Sequence, residues 1–434
     1  MPKVLVFTYY WPPGAGPGVQ RMLKFCKFLP QFGWKPVVIS VKDGAYPSID
    51  ESLLDDVPKD VQVIKTYAFE PFRLYNALRG KKGKQVPVAL IGIKDSKSWL
   101  QKFSVWVRAN FFIPDARKGW NKYAIRIGKR IVRQQKVDAV ITTGPPHSTH
   151  YIGKYFQEKH GLKWIADFRD PWVNIYYHKF FPMSARTKKK HQQMETEIVS
   201  SADLIAVVSE GLKKEFSNRN NNIEVVYNGY DEDDFLREEN KATTNFTLSY
   251  IGNLKPNQNI ISVWEVIGEL VKENADFSKY FKLRITGNVD DIVLSVIRKY
   301  ISADNIEIKP FVPHKEAAKL MMEANLLLFI IPNSENNGLI LTGKLFEYLA
   351  SGTTMLSIGP VGGNASEIIR ACDRNYMIDY LDKSEIKKQL LNHFNDWKSN
   401  GGISKKHDIS SAEKFSRKSQ TEQLANAISK LIQN

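Results

Sequence analysis

The chain has 434 residues, 43% of them hydrophobic and 25% charged, with no low-complexity stretch. That is too long for one ordinary core and too apolar for a disordered chain, so two domains of about 200 residues each are expected. The formal net charge is +16, and the only two cysteines, Cys26 and Cys372, lie too far apart in sequence for a disulfide framework or metal-ligand spacing, a pattern that fits a reducing compartment.

The opening residues, MPKVLVFTYYWPP, lack a basic region followed by a long apolar one, so no signal peptide is expected. No apolar run approaches the length needed to span a bilayer, and a cytoplasmic location follows as the expectation. Residues 4–7 read as a first strand, which opens a Gly/Pro loop containing Gly14, Gly16 and Gly18. A helix with Met22, Phe25, Cys26 and Leu29 on its apolar face comes next, then a strand at 36–40. From Arg79 to Lys136 there are sixteen lysines and arginines against Asp95 and Asp115, so this segment carries +14 and the rest of the chain is nearly neutral. The basic character is therefore local. Within it, Trp99, Phe103, Trp106, Val107 and Phe111 follow helical spacing, with Lys102 and Arg108 on the other side. Lys81, Lys82, Lys84, Lys94 and Lys97 precede this stretch, and Arg117, Lys118, Arg126, Lys129, Arg130 and Arg133 follow it. Such a helix suits an anionic membrane interface; the other reading makes its aromatics core residues and its cations a solvated face. Further strands are expected at 137–142, 164–167 and 204–208, each followed by a loop and a helical stretch, the rhythm of a parallel, doubly wound sheet.

The polar stretch 231–245 reads as a linker, and the pattern then restarts. Strands are expected at 246–252, 282–286, 306–309, 326–331 and 354–358, with helices between them, one at 261–272. The expected domains are 1–235, carrying the basic insertion 79–136, and 246–410, with a last helix at 411–434 returning to the first domain. Two such α/β sheets imply a ligand cleft at the carboxyl ends of the strands.

Four strings carry a resemblance. They are Ala202–Glu210 (ADLIAVVSE), Val225–Tyr230 (VVYNGY) followed by Phe235, Tyr250–Leu254 (YIGNL) and Lys344–Gly352 (KLFEYLASG). In this order and spacing the chain resembles glycosyltransferase family 4 along nearly its whole length. The resemblance implies a GT-B fold, two Rossmann-like domains facing a central cleft, and a retaining transferase that uses a nucleotide sugar. It also implies that Glu347 accepts hydrogen bonds from the ribose hydroxyls of the donor. A helix that starts after Gly338 and Gly343 offers free N–H groups and partial positive charge to the donor diphosphate. The alternative for Glu347 is a surface pair with Lys344 at i, i+3. The sequence departs from the family where a second Glu, contacting the sugar, would stand: that position is Leu339, and the nearest acid is Glu335. The usual Arg and Lys after the first donor-domain strand are Asn253 and Gln258. With Gly252 and Asn253 shaping the loop, Lys255, Lys344 and backbone amides are left to neutralise a leaving diphosphate.

On the acceptor side, the string Ala166–Trp172 (ADFRDPW) follows a strand. It resembles the family segment that places a His or Asp near the reacting centre. Arg169 and Asp170 are the candidate catalytic pair; the alternative is that Arg169 ties Asp167 and Asp170 into a structural network. Gly16, Gly18 and Arg21 form the candidate phosphate loop, with a surface ion pair as the other use of Arg21. His147 and His150 lack neighbouring acids and are expected in loop or cap roles, not as metal ligands.

The resemblance implies that the leaving phosphate takes the acceptor proton, so neither a protein nucleophile nor a metal is expected. No cofactor is expected beyond the nucleotide sugar as substrate. The expected partners are that donor, a glycan or polyprenyl-diphosphate-linked acceptor of surface polysaccharide synthesis, and the inner face of an anionic membrane. Nucleic acid is not expected, because no groove-reading motif or stacking platform is present. The alternatives are a degenerate GT-B protein that only binds nucleotide or glycan, and a sugar-nucleotide epimerase.

Overall fold

In the computed structural model the residues described are 1–44, 46, 48–69, 99–175, 181–235 and 240–433. Arg79, Lys81, Lys82, Lys84, Lys94 and Lys97 of the basic segment lie outside them. The chain divides into two units, Met1–Asn228 with Arg417–Asn434, and Gly229–Ser416.

β-branched and apolar runs build the first unit. Its strands are β1 (Lys3–Phe7), β2 (Lys35–Val41), β3 (Gln62–Thr66), β4 (Ala139–Gly144), β5 (Lys163–Phe168), β6 (Leu204–Val207) and β7 (Ile223–Val225). They form one sheet in the order β3-β2-β1-β4-β5-β6-β7, with every pairing parallel. Its helices are α1 (Pro17–Phe28), α2 (Trp99–Phe111), α3 (Asn121–Gln134), α4 (His150–His160), α5 (Ala185–Ser201) and α6 (Glu210–Phe216). Strand residues alternate between two cores. Leu5, Phe7, Val37 and Ile39 enter one, and Val4, Val6, Val38 and Ile141 enter the other. This period of two, with both faces covered, is what a buried parallel sheet requires. Sequence periodicity missed β3, whose residues are mostly half-exposed, and β7, which has only three residues.

The second unit repeats the plan. Its strands are β8 (Phe246–Ile251), β9 (Phe281–Thr286), β10 (Ile306–Lys309), β11 (Leu326–Ile330), β12 (Met355–Ile358) and β13 (Met377–Ile378). Their order, β10-β9-β8-β11-β12-β13, is again all parallel. The helices are α7 (Ile261–Glu273), α8 (Ala275–Tyr280), α9 (Asp291–Tyr300), α10 (His314–Glu323), α11 (Gly343–Ala350), α12 (Asn364–Ala371) and α13 (Lys383–Ser399). Each sheet changes direction of winding beside its first strand, between β1 and β4 and between β8 and β11. Open α/β sheets bind ligands outside the carboxyl ends of the strands at this point.

The last helix, α14 (Arg417–Gln433), belongs to the first unit. Its Leu424, Ala425 and Ile428 join the core formed by Val4, Val6 and Leu23, and Trp34 Nε1 donates to Ser429 Oγ at 3.0 Å.

In α2 the aromatic side chains are outside. Trp99 is 71% exposed, Phe103 56%, Trp106 42% and Phe111 64%, which removes the core reading of these four. Asn110 fastens the helix: its Nδ2 donates to Pro182 O, and its Oδ1 accepts from Ser184 N and Thr187 Oγ1 at the start of α5. No helix among the described residues is long and apolar enough to cross a membrane.

Candidate functional site

In the second unit, β8 ends at Ile251 and the chain turns at Gly252, whose φ is +117°. A Cβ here would meet Lys344 Cε at 2.6 Å and Nζ at 2.8 Å. Only glycine therefore leaves room for the Lys344 chain to cross the loop. The ammonium rests on the Tyr250 ring, 4.0 Å from its centroid, and donates to Tyr250 Oη at 2.7 Å. Tyr250 in turn donates to Asn253 O at 2.9 Å. Burial lowers the Lys344 ammonium to about 7; Glu347 opposes this fall and Lys255 adds to it. Half-buried and in no ion pair among the described residues, this cation suits an anion.

Glu347, one turn further along α11, does not form the surface pair with Lys344. Its carboxylate lies 4.0 Å from His314 Nε2, and that nitrogen is 2.9 Å from Asp234 Oδ2. The Glu347 side chain keeps 16% of its surface exposed. Lys255 is exposed, and Asn253 contributes its carbonyl. Gln258 is buried and structural: its Oε1 accepts from Lys255 N at 3.2 Å. The loop is also tied to the one after β11, through Asn333 N donating to Asn257 O at 2.9 Å.

Thr342 precedes α11 without a side-chain cap, and its Oγ1 is buried with no hydrogen-bond partner. A Cβ on Gly343 would meet nothing within 4 Å, so the first turn opens onto free space. Gly338 packs against Gly363 at the start of α12. There Asn364 Nδ2 and Ser366 Oγ are also buried without partners. Leu339 is 48% exposed. Two helix starts without side-chain caps thus lie beside polar groups without hydrogen-bond partners, the local arrangement that suits an anion. Tyr250, His314, Asp234 and Thr342 were not singled out in the sequence. Tyr250 lies in a quoted string, whereas nothing in the sequence brings residues 234, 314 and 347 together.

In the first unit the structure corrects one expectation. Arg21 does not offer its charge to a phosphate, nor does it form a surface pair. It is 1% exposed, and its Nη2 lies 2.7 Å from Asp167 Oδ1. Nη1 donates to Tyr227 O at 2.9 Å, and the guanidinium lies over the Phe25 ring. Thr143 Oγ1 gives Asp167 a further bond at 2.7 Å. Arg21 sits on the buried face of α1, so it anchors the sheet end from inside.

Arg169 does not bridge the two aspartates either, since Asp167 is held by Arg21. Arg169 donates to Pro145 O through Nη2, while its Nε is buried with no partner. A Cβ on Gly18 would fall 1.2 Å from Arg169 Nη1, so the guanidinium lies directly on the first turn of α1. Gly16 caps that helix with φ +114° and open space beside it. Asp170 follows with no hydrogen bond among the described residues. Burial raises its carboxyl to about 6, against the pull of Arg169. Gly16, Gly18, Arg169 and Asp170 thus meet at the carboxyl end of the sheet.

His147 lies in the short turn that follows β4, and His150 ends that turn and begins α4. His150 stacks on Phe168 at 4.4 Å and His147 on Trp172 at 4.9 Å. Thr142 Oγ1, which accepts from Trp164 Nε1 at 2.8 Å, lies 3.0 Å from His150 Nδ1. Burial pushes His150 down to about 3, so it is neutral. Among the described residues no group of three or more His, Cys, Asp or Glu could hold a metal.

No family model and no curated protein matches the sequence. Solved structures do match it over nearly the whole chain. TarM of S. aureus superposes with a TM-score of 0.62 at 13% identity, covering 99% of each chain. A glycosyltransferase from Rickettsia africae gives 0.61 at 12%, covering 100% of this chain and 99% of that one. WaaG, a glycosyltransferase involved in lipopolysaccharide biosynthesis, gives 0.52 at 12%, covering 98% and 99%. At these identities the likeness is one of fold, and the fold is GT-B.

Proposed function

We propose that the chain is a glycosyltransferase that takes a sugar from a nucleotide-sugar donor and passes it to a glycan or lipid-linked acceptor. The observation that carries this reading is the placement of Lys344 and Glu347, unpaired with each other, on the first turns of α11, with the ammonium folded over Gly252. A cation and a half-buried carboxylate one turn apart suit, in order, a diphosphate and a ribose with two hydroxyls. A structure of an S. aureus TarM variant holds UDP together with a glycoside, which supports a nucleotide ligand for a protein of this fold.

In this mechanism the first unit supplies the acceptor side. Asp170, ionised above about pH 6, accepts from a hydroxyl of the acceptor next to the attacking one and so orients the acceptor. Arg169 and the first turn of α1 hold negative charge near it. In the second unit, Lys344, Lys255 and the starts of α11 and α12 stabilise the departing diphosphate, the work of preorganised electrostatics. The leaving phosphate oxygen takes the acceptor proton, the anomeric configuration is retained, and no metal ion is required. The exposed aromatics of α2, with Lys102 beside them, bring the enzyme to an anionic membrane surface. A polyprenyl-diphosphate acceptor of surface polysaccharide synthesis would be met there, at the inner face of the plasma membrane.

The test is a panel of labelled nucleotide sugars incubated with and without acceptor, with and without a chelator. Transfer of label to acceptor, unaffected by the chelator, is expected. Conversion of the sugar nucleotide without acceptor would make the protein an epimerase; binding without turnover would make it a recognition protein.

A further inference from the structure

The outer face of α3 has no role in the proposed reaction. Its inner face is fixed by Ala124, Gly128 and Ile131, all buried. A Cβ on Gly128 would lie 2.5 Å from the Phe156 ring and 2.9 Å from that of Phe7. The helix is therefore seated hard on the core, and its polar side cannot roll inward. That side carries Lys122, Arg126, Lys129, Arg130 and Arg133, which together with Tyr155 of α4 line a trough of about 710 Å³.

These five cations have no acid to answer them. None forms an ion pair among the described residues, and only Lys122 has a ring contact, with Tyr123. The nearest acid on α4, Glu158, pairs with Lys154. Within the helix the pairs 122/126, 126/129, 126/130, 129/133 and 130/133 all fall at i, i+3 or i, i+4, where like charges destabilise a helix. A solvated basic face on a folded protein is ordinarily relieved by interspersed acids; here the repulsion stands unrelieved along the whole helix.

We infer that this trough binds a linear polyanion of the inorganic polyphosphate type laid along α3. Repeating negative charges would remove the repulsion, and neutralising several cations at once releases counterions, which makes such binding strong and salt-dependent. A single aromatic, Tyr155, is too few for the successive stacking that single-stranded nucleic acids use. The inference is independent of the transfer reaction.

The test uses the full chain and a linear inorganic polyphosphate of about 15 units, with affinity measured between about 50 and 200 mM salt. Binding is expected with a log–log salt slope of about −3.5, at about 0.7 per neutralised charge. The double variant Arg126→Gln, Arg130→Gln should bind at least about tenfold more weakly and lose about 1.4 from the slope. Its melting temperature serves as the folding control. Trp99→Ser with Trp106→Ser should leave polyphosphate binding unchanged. Unchanged affinity in the arginine variant would overturn the inference. So would equal competition by inorganic phosphate, tighter binding of a thymidine oligonucleotide, or binding of phosphatidylglycerol vesicles without binding of polyphosphate.

Discussion

A half-buried ammonium gains from a counter-charge, and among the described residues Lys344 meets a ring face and a phenol oxygen. Its ordinary value of 10.5 falls to about 7 because the charged form is desolvated. A bound diphosphate would restore the charge, so binding takes up a proton above pH 7. The affinity for a nucleoside diphosphate should therefore fall as pH rises past about 7, approaching tenfold per unit. Titration calorimetry checks this, and in Lys344→Ala the slope should vanish. Glu347→Ala should weaken nucleotide binding by about 1.5–3 kcal/mol, the range for a hydrogen bond to a charged group; unchanged binding by the same method would move the donor site elsewhere. If Asp170, raised to about 6 by burial, orients the acceptor as proposed, activity should show an acidic limb near that pH. Asp170→Asn should cut turnover and remove the limb while leaving donor affinity intact. A lowered melting temperature with unchanged turnover would return Asp170 to a structural role. Glu347, Lys344 and Asp170 were visible in the sequence as polar residues at strand and helix ends. The burial of Arg21 was not. A residue three positions past Gly18 can face out or in, and the turn of α1 onto Asp167 is decided by tertiary packing.

At the scale of elements, α2 is the one whose surroundings matter most. Trp99, Phe103 and Phe111 are each more than half exposed, and Trp106 packs against Phe103 and Phe111. Amphipathic helices of this kind lie in a membrane interface, and each nearby cation adds about 1 kcal/mol of attraction to an anionic leaflet. Sedimentation with vesicles should show binding that requires anionic lipid and weakens with salt, and that drops in Trp99→Ser with Trp106→Ser. Absence of binding under every condition would leave a water-soluble acceptor. Helical periodicity alone could not choose between core and surface for these side chains, because both place aromatics on one stripe.

Each unit is held by its own buried cores, which draw on separate stretches of sequence except at the end of the chain. Leu424, Ala425 and Ile428 of α14 complete the core of the first unit from a distance of about 400 residues. Removing residues 417–434 would delete Leu424 and Ile428, each contributing about 1.5–3 kcal/mol when buried, and uncover Val4, Val6 and Leu23 of the same core. The first unit should then melt earlier. A nucleotide should still raise the melting temperature of the second unit, which keeps all of its strands. Calorimetry with and without nucleotide separates the two effects; a single unaltered transition would mean that α14 contributes little.

Strand after strand of this protein could be read from β-branched runs, because a sheet covered on both faces leaves its strands continuously apolar whatever packs on them. The two doubly wound sheets and the GT-B fold followed from that rhythm and from four short strings. Short or half-exposed strands such as β7 and β3 escaped, since a few residues without alternation carry no period. The relations that make a site were decided only by the tertiary structure. The fold lays Lys344 over Gly252, seats Arg169 on Gly18, buries Arg21 against Asp167 and brings His314 near Glu347. Side chains so distant in sequence leave no local pattern, and their charge states depend on how much water the packed chain excludes.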